Sequence, residues 1–179
     1  MIEIYYGLIK IRIWDSDTPD WSYNADINET YVINEINFLF TRKKSIAIEL
    51  FKPVGGHFLY GALSLQYIPD GKRPLEICIS SMQDIQNIYA HSSSTLAQNL
   101  DVIYVGLEHE YAEGVRDGIC TAQSLRKLGG GKLKTTGALC GEISSCIAIF
   151  RELGNFAIDT LTLPSIDNKI ILELLQKKL

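Results

Sequence analysis

Metal-ligand spacing, a nucleotide-binding loop and a long apolar run are all missing from this chain. The four cysteines, Cys78, Cys120, Cys140 and Cys146, are widely separated and form no CxxC pair. A chain of this size does not need disulfide staples. The three histidines, His57, His91 and His109, have no partner at metal-ligand spacing, so the residues give no reason to expect a metal or other cofactor. No apolar run approaches the ~18 residues of a membrane span. The N-terminal stretch MIEIYYGLIKIRIW is interrupted by Glu3, Lys10 and Arg12 and lacks the basic start and small-residue cleavage site of a secretory signal. A cytoplasmic location without a membrane partner is the expectation. Excess positive charge is missing too: the formal net charge is −4, which argues against a dedicated nucleic-acid binder.

What is present is an ordinary globular composition. With 179 residues, 46% hydrophobic and 21% charged, the chain can form one domain around a real core. Residues 1–14 read as a strand rich in isoleucine, followed by a polar loop, 15–26, that carries Pro19 and Trp21. A second strand is expected over 30–41. Residues 45–51 and 58–68 make an antiparallel pair around a turn containing Pro53, Gly55 and Gly56. Pro69-Asp70-Gly71 is a turn, 74–80 a strand, and 81–99 a polar stretch with short helical turns around Met82, Ile85 and Ile88. A short strand spans 102–105.

The apolar spacing of Tyr111, Val115, Ile119, Ala122 and Leu125 predicts a helix over 108–128. Glu108, Glu110 and Glu113 at its start and Arg126 and Lys127 at its end complement the helix dipole, with Gly129 as terminator. Residues 132–141 follow as a strand. A second helix, capped by Ser144 or Ser145, has an inner face of Ile143, Ile147, Phe150, Gly154 and Ala157. Cys120 and Cys146 fall in these helical stretches and read as buried thiols. A last amphipathic helix starts at Asp167. The chain therefore divides into an N-terminal β segment (1–44), a core (45–160) and a C-terminal helix (161–179).

Three stretches carry a resemblance: GGHFLYGALSLQYIP (55–69), YVGLEHEYAEGVRDGI (104–119) and KLKTTGALCGEISSCIAIF (132–150). In order and spacing they resemble domain IV of elongation factor G, shared with the tetracycline-type ribosome protection proteins, over roughly residues 45–160. The resemblance implies an α+β fold with a split β-α-β core, like the second domain of certain ribosomal proteins, and a role at the ribosome. Its loops differ from the family's. The first glycine turn holds His57, Phe58 and Leu59 where the family has an arginine. The distal loop reads Ala138-Leu139-Cys140-Gly141-Glu142 where the family has a histidine and acidic residues. No GTPase motif accompanies it.

Two glycine-containing segments test for phosphate chemistry, and both fail. Gly129-Gly130-Gly131-Lys132 lacks the P-loop's earlier glycine, replaced by Arg126, and its Ser or Thr, replaced by Leu133. Gly141-Glu142-Ile143-Ser144-Ser145 is similar to the phosphate loop of small-molecule kinases, but Glu142 puts negative charge where a phosphate would sit. Arg126, Lys127, Lys132 and Lys134 form a local basic group and are the candidate RNA contacts.

The leading expectation is a non-enzymatic binding module whose partner is a protein or an RNA–protein assembly such as the ribosome. The alternatives are an acidic immunity-type inhibitor of a basic protein and a small-molecule kinase-like enzyme. The N-terminal strand also invites pairing with a second copy.

Overall fold

The structure is a computed structural model and describes residues 1–34, 42–71, 74–83 and 94–178. Among them, eight strands form one mixed sheet and three helices pack against it, giving an α+β fold. No helix among the described residues is long and apolar enough to cross a membrane.

The isoleucine-rich N-terminus is a hairpin and not one strand. β1 (Ile2–Tyr6) and β2 (Ile9–Asp15) pair antiparallel around Gly7-Leu8. Gly7 takes a φ of 61°, which a glycine adopts without steric cost. β2 pairs with β4 (Lys44–Val54), and β4 with β5 (His57–Pro69) across Gly55-Gly56. β3 (Ile27–Ile33) lies at the other end of the sheet, on β6 (Leu75–Ser81). The rest of the strand expected over 30–41 falls outside the described residues, as do the helical turns expected around Ile85 and Ile88 and the position of His91.

β8 (Gly131–Gly141) is central. β5 flanks one side throughout, while the other side is shared by β6, parallel to its first half, and β7 (Ile103–Val105), antiparallel to its end. The parallel neighbours β6 and β8 are joined through β7 and α1 (His109–Thr121).

Alternation along the strands separates two cores. Ile46, Ile48 and Leu50 of β4 and Leu63, Leu65 and Tyr67 of β5 meet the buried residues of α1, of α2 (Ile147–Leu161) and of α3 (Asn168–Lys178) on one face. The opposite set, Ala47, Phe51, Tyr60 and Ala62, forms a smaller core with Trp21, Ala97, Ile103 and Leu139. All three helices thus lie on one face, and the loop bearing Trp21 covers part of the other.

α1 and α2 cross with their backbones nearly touching. A methyl group at Gly118 would stand 2.1 Å from the Arg151 carbonyl oxygen, and one at Gly114 would stand 2.4 Å from that of Ile147. Tyr111 and Phe150 stack across the interface with ring centroids 5.2 Å apart.

α1 is shorter than the apolar stripe predicts. It ends at Thr121, and Leu125–Lys127 is a separate 3-10 turn. Buried Asp159 on α2 accepts a hydrogen bond from the Ser124 amide at 3.0 Å and draws the chain out of the helical path. Arg126 and Lys127 therefore do not occupy the last turn of α1. Cys120 is exposed rather than buried, and Cys140 is the fully covered thiol. Its Sγ donates to the Gly106 carbonyl at 3.0 Å, and burial pushes its pKa up to about 12.

Candidate functional site

The β4–β5 turn and the loop between β8 and α2 meet at one end of the sheet. Ser144 and Ser145 are not the helix caps their position suggests. Cys146 is the N-cap residue of α2 and makes no side-chain capping bond. The serines instead stitch the loop to its neighbours. Ser145 Oγ accepts from the Gly141 amide and donates to the Tyr60 carbonyl, both at 2.8 Å. The Tyr60 amide donates to the Ser144 carbonyl at 3.0 Å. Asp101 holds the loop from the other side, accepting from the Ile143 and Ser144 amides and from the Ser144 hydroxyl.

This bracing presents an apolar end. Val54, Gly56, His57, Phe58, Leu59, Ile143 and Ser144 line a cleft of about 420 Å³. Ile143 is 79% exposed although its loop is tied down at both ends. Val54, Leu100, Val102 and Ile147 are also exposed, and they share this end: Val102 accepts from the Glu142 amide, and Leu100 adjoins Asp101. Five of the nine exposed large apolar side chains among the described residues thus gather here, a concentration that solvent alone does not favour. No lysine or arginine is among the described residues lining the cleft.

The basic residues lie elsewhere. Lys132 and Lys134 are at the start of β8, and Gly141, where the bracing begins, is at its end, roughly 20–30 Å away at the rise of an extended strand. Leu133 between the two lysines packs with the helices, so their side chains face the other side of the sheet. Arg126 and Lys127 sit between Leu125 and Leu128, both in the helix-side core. The sheet therefore separates the two pairs, and Lys132 lies beside Glu76 in the parallel register. The triple-glycine segment is a structural turn. Gly130 accepts from the Tyr67 hydroxyl, and Gly131, with a φ of 147°, approaches the Ile68 carbonyl so closely that a Cβ would stand 2.4 Å from it. His57 is on the apolar end, and His109 Nδ1 faces Ser81 Oγ at 3.4 Å.

A second site, which the sequence did not signal, lies on the face away from the helices. β2 and β4 place Arg12 opposite Glu49. Glu49 is 1% exposed, yet it is fully partnered. Its Oε1 accepts from the Tyr60 hydroxyl at 2.9 Å and from the Leu96 amide at 2.7 Å, and Oε2 from Arg12 at 3.3 Å. Arg12 also binds Glu3 at 2.6 Å. Burial raises the Glu49 pKa and outweighs the three donors, which act to lower it. Burial, and next the Glu49 carboxylate, push the Tyr60 hydroxyl well above its ordinary value. The phenol therefore remains a donor.

Beside Glu49 a cavity of about 350 Å³ is bounded by Trp14, Trp21, Asp20 and Leu139. The two indoles meet edge to face, with centroids 5.2 Å apart and planes at 84°. A β-bulge at Thr136 makes room for this arrangement. It sets Gly137 under Trp21, where a Cβ would stand 2.8 Å from the Trp21 carbonyl oxygen. Among the described residues, no group of three or more His, Cys, Asp and Glu side chains could hold a metal ion.

No known protein family, no curated protein and no solved structure matches the chain.

Proposed function

We propose that this chain is a non-enzymatic binding module that docks through the end formed by the β4–β5 turn and the 141–146 loop, on a protein component of the ribosome or of a similar RNA–protein assembly. The convergence of those two loops into one braced, apolar end is the observation that carries the proposal. The elements over 45–160 follow the order strand, strand, strand, helix, strand, helix, with the short β7 before the first helix and both helices on one face. That order supports the likeness to domain IV of elongation factor G, whose corresponding loops face the decoding centre. The composition of the end favours a protein surface over bare phosphates, which attract lysine and arginine. The four basic residues are then secondary: any RNA they touch lies at the far end of β8.

Co-sedimentation with ribosomes from the same cells tests the proposal. Val54→Asp and Ile143→Asp should abolish association, while Lys132→Glu and Lys134→Glu leave it largely intact. Failure of the unaltered chain to sediment with ribosomes, or loss of binding in the lysine variants alone, contradicts it.

A further inference from the structure

β3 is an edge of the sheet, and among the described residues nothing pairs with its outer side. Its pairing with β6 runs without a bulge from Ile27 to Ile33, and no proline, glycine or lysine blunts it. A long, regular edge of this kind is a template for another strand. The Ser80 and Met82 amides donate away from β3, to Thr135 Oγ1 and the Leu107 carbonyl, so Ile77, Ile79 and Ser81 turn theirs toward it. Their register partners Tyr31, Glu29 and Ile27 are therefore the residues bonded to β6. The N–H and C=O groups of Asn28, Thr30 and Val32 point outward, and all three residues are exposed, Val32 by 54%. The other edge, β1, suits a second copy less well, because α3 packs over it and two copies of α3 would meet at the axis. α1 stands instead over β6, one strand in from β3. Joining two copies through β3 sets α1 and its counterpart three strand spacings apart, roughly 14 Å, which leaves room for both.

We propose that this chain forms a two-fold dimer in which β3 pairs antiparallel with β3 of a second copy about Thr30, so that one sheet runs through both. This register is self-complementary. Thr30 stands opposite Thr30, Asn28 opposite Val32, Ile27 opposite Ile33 and Glu29 opposite Tyr31, so every residue of β3 is paired. Each outward residue then donates one backbone bond and accepts one. A register centred on Glu29 would set two carboxylates face to face, whereas this one opposes no like charges. Arg116 lies over the Tyr31 ring, its guanidinium 5.6 Å from the centroid, and it shares Asp117 with Arg151. Glu29 of the second copy therefore meets a net positive charge. Half-buried Ile27 and Ile33 cover each other on the helix side. The interface shares no residue with the apolar end.

Sedimentation equilibrium of the full chain, together with amide hydrogen exchange, is the test. The unaltered chain should sediment at twice its 20.1 kDa. The Asn28, Thr30 and Val32 amides should lose protection on dilution while the inner strands keep theirs. Thr30→Lys puts two cations at the axis and should raise the dissociation constant at least about tenfold, whereas Tyr5→Lys on β1 should leave it unchanged. Should Thr30→Lys fail to fold by circular dichroism, the dilution dependence of the three amides carries the test alone. A single-chain mass from micromolar to near-millimolar concentration overturns the proposal, even where the edge takes up an extended peptide from another protein. So does a dimer that folded Thr30→Lys leaves intact, or one that Tyr5→Lys dissociates.

Discussion

The Tyr60 hydroxyl donates to Glu49 Oε1 at 2.9 Å, and both residues are buried. The Tyr60 backbone is bonded to Ser144 and Ser145 at the same time. One residue therefore links the buried carboxylate to the loop that forms the apolar end. Removing the hydroxyl leaves a buried acceptor short of a donor. Tyr60→Phe should cost about 1–3 kcal/mol, read as a lower urea midpoint with an unchanged slope.

Glu49 also sets a pH dependence. Burial raises its native pKa against the opposing Leu96 amide, Tyr60 hydroxyl and Arg12 guanidinium. Its stabilising contribution is fully present below the pKa of an unfolded glutamate and is lost as pH rises through the raised native value. Glu49→Gln should remove this component, so denaturation curves recorded from the ordinary carboxylate range upward should lose stability less steeply than those of the unaltered chain. An equal slope would mean that Glu49 titrates normally.

Gly118 and Gly56 make a matched pair. The Arg151 carbonyl blocks a side chain at Gly118, whereas nothing lies within 4 Å of one at Gly56. Gly118→Ala should destabilise by about 1–3 kcal/mol through backbone displacement, and Gly56→Ala should stay within about 0.5 kcal/mol. Thermal unfolding of the two variants checks the closeness of the α1–α2 crossing.

Much of the fold was legible because it rests on local patterns. The turn with Pro53, Gly55 and Gly56 marked the β4–β5 pair, the Pro69-Asp70-Gly71 turn preceded β6, and the spacing of Tyr111, Val115 and Ile119 marked α1. Asp167 read as a cap, and its Oδ1 accepts from the Ile170 amide at 2.9 Å. The misreadings share a cause, namely partners distant in sequence. Ser124 leaves the helix for Asp159, and Ser145 serves Tyr60 rather than α2. Gly7 was the one local signal of the β1–β2 hairpin, lost among β-branched neighbours. The apolar end was legible only through the two loops that the resemblance picked out, and the buried site was not: Glu49 sits among Ile46, Ala47, Ile48, Leu50 and Phe51, and the cavity beside it exists only once Trp14 and Trp21 are brought together by folding.

Asp101 is the brace of the apolar end. Asp101→Ala removes charged acceptors from the Ile143 and Ser144 amides. Hydrogen exchange at those amides should accelerate, and stability should fall by about 1.5–3 kcal/mol, the range for bonds to charged groups. Ribosome association should weaken as well, because the loop no longer holds Ile143 in place. Unchanged exchange would remove Asp101 from the account.

The most direct measurement places a photo-crosslinking amino acid at Ile143 and, in a separate variant, at Lys132, and irradiates each with ribosomes. Position 143 should crosslink to a ribosomal protein, and position 132 should give no crosslink. A crosslink to RNA from position 132 with silence at 143, or no crosslink from either, contradicts docking through the apolar end.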